Sequence, residues 1–232
     1  MTGPQLTGLA ARYGLTATQV AQLEQILRTL EADKHAPTAV RSAPQALDIH
    51  LADSLVALEL DRVATSATIA DIGAGAGFPG LPLAVALPDA RVALVESQRR
   101  KCDFLAGIAA TTGVENTTVV CSRAEDWREG VEGNDTVVAR ALAPQPVVLE
   151  YAAPLLRLGG SLVDGRGRRD ADEEAAALRA AETLGLELVE IRRVEPFEGA
   201  TDRHLHVFSK ASATPERFPR RAGMARKRPL GG

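Results

Sequence analysis

The stretch Asp71-Ile-Gly73-Ala-Gly75-Ala-Gly77-Phe78-Pro79-Gly80 implies chemistry more directly than any other in this chain. Glycine lets the backbone turn tightly and lets a ligand come close to it. The stretch follows a short apolar run, Ile69 to Ile72, and leads into a segment whose Pro79 or Pro82 suits the first turn of a helix. Two ligands fit it. Gly75-x-Gly77-x-x-Gly80 matches a dinucleotide fingerprint, in which a pyrophosphate sits on the helix N-terminus. Asp71-x-Gly73-x-Gly75-x-Gly77 matches the loop that cradles S-adenosylmethionine. The dinucleotide reading leaves Asp71 and Gly73 without a use. The methionine reading uses both: Asp71 holds the cationic amino-acid end, while Gly73, Gly75 and Gly77 make room for the body. Glu96, ending the next apolar run, is placed to accept hydrogen bonds from ribose hydroxyls, which both cofactors carry. Ser122-Arg123-Ala124-Glu125-Asp126, after the third run, offers backbone and carboxylate groups to an adenine. For the loop alone, a Gly-rich turn with a packing role is the plain alternative.

Other chemistries leave no mark. Methylation of an exocyclic amine commonly uses an Asn/Asp-Pro-Pro-aromatic turn, but the corresponding place reads Ala139-Arg140-Ala141-Leu142-Ala143-Pro144. Attack on a cytosine carbon needs a thiolate. Cys121 in a Val-Val-Cys run and Cys102 in a helical segment both read as buried small residues. No Ser/His/Asp arrangement is evident. His204-x-His206 supplies two metal ligands at most, a poor site, so structural histidines and no metal are expected. Arginine, by contrast, recurs at strand ends. Arg123, Arg140 and Arg166 follow the third, fourth and fifth apolar runs, and Arg203 precedes the last. Guanidinium grips phosphate well, so this placement suggests an anionic acceptor. Ion pairing to acids such as Glu125, Asp126 and Asp164 is the alternative for any single arginine.

The elements that must position these residues can be read from the pattern. Residues 1–60 read as a helical cap, with a capping box at Thr16-Ala-Thr-Gln19 followed by Val20, Leu23, Leu27 and Leu30, then Leu47, Leu51, Leu55 and Leu58. Residues 61–212 alternate short apolar runs with helical segments. Strands are expected at 69–72, 92–96, 118–121, 136–139 and 161–163. Such alternation implies a mostly parallel sheet with helices on both faces. Leu186 to Val194 and His204 to Phe208 lack a helix-sized segment between them and read as an antiparallel hairpin. The expected fold class is therefore α/β: a Rossmann-like, mostly parallel seven-stranded sheet of the S-adenosylmethionine-dependent methyltransferase type, preceded by N-terminal helices. In a doubly wound sheet the ligand lies beyond the carboxyl ends of the strands.

Composition bounds the rest. The 232 residues carry 27 Lys+Arg against 30 Asp+Glu, a net charge of −3. Six cations between Arg217 and Arg228, without an acid, leave the remainder at −9. Residues 213–232 thus read as a basic tail, either solvated or a phosphate-binding arm that gains affinity by counterion release. Aromatics are only 3%, too few for a base-stacking platform. No secretory signal or membrane-length apolar run is seen, so a cytoplasmic address, no membrane partner and a monomer are expected.

Taken together, Asp71-Ile-Gly-Ala-Gly-Ala-Gly-Phe-Pro-Gly-Leu-Pro, Ser122-Arg-Ala-Glu, Ala139-Arg-Ala, Arg203-His-Leu and Phe218-Pro-Arg-Arg-Ala-Gly…Lys227-Arg-Pro-Leu230 resemble the RsmG family, also called glucose-inhibited division protein B. His50-Leu-Ala-Asp53-Ser54-Leu55 resembles that family's His-x-x-Asp-Ser-Leu segment, with Ile49 where the family usually has Arg. Arg166-Gly167 stands where it often has Lys-Gly. The likeness runs from about Thr38 to Leu230. It implies methylation of guanine N7 in 16S rRNA, near the decoding centre, with S-adenosylmethionine as cofactor and 16S rRNA or the small ribosomal subunit as partner. It further implies that Gly73, Phe78, Ala124, Glu125 and Arg140 line the cofactor pocket, with Arg140 positioning the base or its phosphate. Arg123, Arg140, Arg166 and Arg203 would face RNA, clamped by the tail residues Arg220, Arg221, Lys227 and Arg228. A methyltransferase for a small molecule, a nicotinamide-dependent oxidoreductase and a noncatalytic ribosome-binding module are the rival readings.

Overall fold

The computed structural model describes residues 3–40 and 42–232. Helix α1 (Gly3–Tyr13) leads to α2 (Ala17–Ala32), which starts where the sequence pattern places it. Gln19 N–H donates to Thr16 Oγ1, and Gln19 Oε1 accepts from Thr16 N–H at 2.8 Å, so two otherwise orphaned donors are satisfied. Leu23, Ile26, Leu27 and Leu30 then face inward and are buried, each worth roughly 1.5–3 kcal/mol against exposure.

The next helical stretch departs from regular geometry. After α3 (Ala43–Ala46) comes a π-helix, Leu47–Ala52, followed by α4 (Asp53–Leu55), a 3₁₀ turn at Val56–Glu59 and α5 (Asp61–Ala64). Leu47, Leu51 and Leu55 stand four apart and are all buried, a spacing that suits a wider turn than 3.6 residues. Asp53 N–H reaches back to the carbonyl of Asp48. Such wide turns are often found at functional sites, and this one presents His50 and Asp53.

The sheet contains β1 (Thr68–Ile72), β2 (Arg91–Glu96), β3 (Thr117–Cys121), β4 (Asn134–Arg140), β5 (Leu156–Arg166), β6 (Leu186–Arg193) and β7 (His204–Lys210). Their order is β3-β2-β1-β4-β5-β7-β6. The first five pair in parallel, and β7 runs antiparallel to both β5 and β6. All seven expected strands are present, and the hairpin inserts β7 beside β5.

Side chains alternate between the faces of a strand. Ile69, Leu94, Val138 and Val207 join the cap, α6 (Gly80–Ala86) and α7 (Arg99–Thr112) in one core. Ala70, Ile72, Val137, Leu162 and Phe208 pack with α8 (Gln145–Ala152) and α9 (Ala171–Leu184) in another. The alternation places Arg140 on the cap side, with Val138, and Arg166 on the α8/α9 side, with Leu162 and Asp164. That single fact separates the roles of the two arginines.

The basic C-terminal residues do not run free. Phe218 and Ala225 are buried in the α8/α9 core, and α10 (Met224–Lys227) packs on α8. Cys102 is buried, but Cys121 is exposed, against expectation. It ends β3, the edge strand, so the apolar run before it does not imply cover on both faces. No helix among the described residues is long and apolar enough to cross a membrane.

Candidate active site

Two cavities, of about 580 and 230 Å³, open near the carboxyl ends of β1–β5 and share Gly73, Lys101 and Ala141, so they form one cleft. The smaller is lined by Glu96, Ser122, Arg123, Ala124, Glu125 and Arg226, among others. The larger is lined by His50, Asp53, Phe78, Arg140, Arg166 and Arg203, among others.

The glycine loop forms the floor between them. Gly73 and Gly75 both have positive φ, and Gly75 N–H donates to Glu96 Oε2 at 3.2 Å. A Cβ on Gly75 would meet nothing closer than 3.7 Å, so the loop presents bare backbone to the cleft. Glu96 Oε1 accepts from Gln98 N–H at 2.9 Å, and Lys101 Nζ stands 3.8 Å from Oε2. Its carboxylate is thereby fixed at the wall of the smaller cavity.

Two residues expected to hold cofactor have other work. Asp71 lines neither cavity. It is buried, and Oδ2 accepts from Gly80 N–H at 2.7 Å, tying the first turn of α6 to β1. Burial pushes its pKa up to about 7, against the opposing pull of the Gly80 N–H and Arg140. Gly77 also lies off the cleft. A Cβ there would sit 2.3 Å from Leu81 Cδ1, so this glycine serves packing of α6. Gly80 is crowded as closely, since its Cβ would fall 2.7 Å from Asp71 Oδ2 and 2.4 Å from Leu94 Cδ2. Gly80→Ala is expected to destabilise the fold by about 1–3 kcal/mol through overpacking, measured as a lower urea midpoint.

The larger cavity is organised by an ion-pair bridge from the cap. Arg140 Nη1 donates to Asp53 Oδ2 at 2.9 Å and to the Ile49 carbonyl at 3.0 Å. Arg203 Nε lies 3.3 Å from Asp53 Oδ1. Asp53 thus joins β4 and the start of β7 to the π-helical segment. Beside it, the His50 and Phe78 rings stack at 4.4 Å and 9°. Burial, reinforced by Arg140, lowers the His50 pKa to about 4, so the ring is neutral near pH 7. His50 Nε2 lies 2.9 Å from Thr38 Oγ1. Sequence reasoning gave His50 and Asp53 no role. Their separation of three residues on a helix placed them on one face, but nothing in the spacing pointed to Arg140.

Arg166 lines the same cavity from the other side of the sheet. It donates to the Ala143 carbonyl and pairs with Glu173. Behind it, Gln145 Nε2 bridges Asp164 Oδ2 at 3.2 Å and His206 Nδ1 at 3.0 Å, across the register pair Asp164–His206. Burial raises the Asp164 pKa to about 7 and lowers that of His206 to about 4. A carboxyl with a raised folded-state pKa contributes its full stability below the unfolded pKa, where both states are protonated, and loses it where the unfolded chain ionises before the fold does. Its contribution is therefore lost as pH rises from about 4 to about 7. Asp164→Asn, which keeps an acceptor for Gln145, should gain stability relative to the parent across that window as pH rises. Denaturant midpoints from pH 4 to 8 test this.

The tail cations divide into two sets. Arg220 forks onto buried Glu150 and donates to the Arg228 carbonyl. It is therefore a fastening for the segment and is not free to clamp RNA, a correction to its expected role. Gly223 N–H donates to Glu125 Oε1 at 3.1 Å, and Arg226 Nη2 donates to the Leu142 carbonyl at 2.9 Å. Arg221, Lys227 and the Arg228 side chain are exposed, as is Arg123.

Comparison with known proteins decides the family. The profile of rRNA small subunit methyltransferase G (GidB) matches residues 18–205. The chain belongs to this family. Proteins called ribosomal RNA small subunit methyltransferase G are 39% identical over 223 residues in Chloroflexus aggregans, covering 93% of this chain and 92% of the relative. In Synechococcus elongatus the identity is 38% over 198 residues, covering 84% and 82%. A solved S-adenosylmethionine-dependent methyltransferase from Aquifex aeolicus shares the fold at TM-score 0.57 and 16% identity, covering 73% of this chain and 94% of that one.

The cleft of this methyltransferase G family member fits S-adenosylmethionine on its own geometry. Gly75 leaves open space where a side chain would project. The buried Glu96 carboxylate faces the cavity where ribose hydroxyls need an acceptor. Ala124 and Glu125 line the same cavity, and the larger cavity continues from Gly73 toward Arg140.

Proposed function

We propose that this cleft transfers a methyl group to N7 of a guanosine in 16S rRNA near the decoding centre. By family, the chain is an S-adenosylmethionine-dependent methyltransferase of the small-subunit rRNA. The observation that carries the reading is the continuity of the two cavities through Gly73, Lys101 and Ala141, with the cofactor-type wall at one end and the Arg140–Asp53–Arg203 bridge at the other.

S-adenosylmethionine, when bound, supplies an already electrophilic sulfonium methyl. Guanine N7 has an in-plane lone pair and carries no hydrogen, so no general base is required. That agrees with a larger cavity in which His50 is neutral and Arg140 is tied through Nη1 to Asp53 and the Ile49 carbonyl. The protein's work is placement. Glu96 and the Gly73–Gly75 floor orient the cofactor. Arg140 and Arg203, held by Asp53, present positive charge to the base or its phosphate. The His50–Phe78 stack forms an apolar wall for a base turned out of its helix or loop. Arg123, Arg221, Lys227 and Arg228 supply the outer phosphate contacts.

Supplying labelled S-adenosylmethionine with unmodified small subunits, their naked rRNA and a panel of small molecules tests the reading. Label is expected in the rRNA alone. Incorporation into a small molecule without RNA would favour the small-molecule reading. The same experiment separates naked rRNA from the subunit as substrate.

A further inference from the structure

The C-terminal segment has an inner face that no RNA-clamp role explains. Phe218 and Ala225 are sunk in the core with Tyr151 and Val147 of α8. Gly223 N–H is spent on Glu125, a wall residue of the smaller cavity. Arg226, though exposed, lines that cavity together with Glu96, Ala124 and Tyr151. Its guanidinium is anchored by the Leu142 carbonyl and acts on the Tyr151 phenol, whose pKa is raised by burial and drawn back by Arg226.

We propose that the C-terminal segment is the closing wall of the cofactor cavity, with Arg226 contacting the adenine. This rests on the cofactor reading above. A planar guanidinium lies favourably against an aromatic face and can also donate to ring nitrogens, and adenine offers both. Anchoring at Leu142 reduces the side-chain freedom lost on binding. The same segment turns Arg221, Lys227 and Arg228 outward. One short element therefore serves cofactor with its inner face and phosphates with its outer face, and the six tail cations are not interchangeable.

The test is the affinity of the full chain for S-adenosylhomocysteine, measured by calorimetry without RNA, for the parent, Arg226→Met and Arg226→Lys. Arg226→Met keeps an apolar stem and is expected to weaken binding about tenfold, with the thermal midpoint of the ligand-free protein unchanged. Arg226→Lys keeps charge without the planar fork and should fall between the parent and Arg226→Met. Affinity for a 16S rRNA fragment in the absence of cofactor should be reduced far less than cofactor affinity by Arg226→Met. Unchanged S-adenosylhomocysteine affinity in Arg226→Met, or a loss confined to RNA binding, would overturn the inference and leave the cofactor reading intact. Failure of the parent to bind S-adenosylhomocysteine would overturn both.

Discussion

Arg140→Ala is expected to lower the rate of methyl transfer about 100-fold at saturating cofactor and RNA. Arg140 sits at the end of β4 on the cap side and is nearly buried, with 17% of its side chain exposed. Its Nη1 holds both the Asp53 carboxylate and the Ile49 carbonyl. Removing the guanidinium frees the π-helical segment from β4, leaves Ile49 without this donor and leaves Asp53 with Arg203 alone. A displacement of about 1 Å at a reacting centre is enough for a loss of this order. Arg140→Lys keeps the charge but not the planar guanidinium that places Nη1 between Asp53 and the Ile49 carbonyl, and should recover only part of the rate. Single-turnover kinetics separate the effect on placement from weaker RNA binding, which appears instead in the apparent KM. A kcat unchanged in Arg140→Ala would remove the bridge from the account.

The second large effect concerns stability. Glu150 is 1% exposed and its carboxylate faces Arg220, which is 24% exposed. Arg220→Ala leaves a buried carboxylate without its cation and releases the Arg228 carbonyl. Breaking such a pair costs about 3 kcal/mol, the lower end of the range for buried partners because Arg220 keeps contact with solvent. For a chain of this size that amounts to a fall of roughly 6–12 °C in Tm. Adding Glu150→Gln should restore much of the loss by removing the stranded charge. A simple RNA contact would give no such change in Tm, so the measurement separates the two roles assigned to Arg220.

The sheet was legible because period-two apolar runs, turn residues and the missing helix before His204 all point one way. The capping box at Thr16–Gln19 was legible for the same reason: local chemistry determines it. The glycine loop could be located but not fully apportioned. Gly73 and Gly75 face the cleft, but only Gly75 has open space at Cβ; Leu142 crowds Gly73 as Leu81 crowds Gly77 and as Leu94 and Asp71 crowd Gly80. Nothing in a one-dimensional pattern separates those causes. Asp71 was misassigned because its partner, Gly80 N–H, belongs to the next element.

The arginines show the same limit. Each follows a strand toward one edge of the sheet, but side-chain alternation sends Arg140 to the cap and Arg166 to α9. The acid that joins Arg140 and Arg203 is Asp53, far back in sequence, and not the neighbouring acids. The tail misled through its composition. Six cations suggest a solvated arm, but Phe218 and Ala225 supply the burial that fastens it, Arg220 is spent on Glu150, and Arg226 is anchored at the Leu142 carbonyl on the cavity wall.

The central claim is that the cleft places guanine N7 of 16S rRNA in line with the methyl of S-adenosylmethionine. Its most direct test is strand scission specific for 7-methylguanosine, applied to rRNA from unmodified small subunits after incubation with this protein and S-adenosylmethionine. The account predicts one new cut, at a guanosine near the decoding centre, absent when Arg140→Ala replaces the parent under the same limiting conditions. Methyl incorporation without any such cut, or cuts scattered over many guanosines, would contradict it.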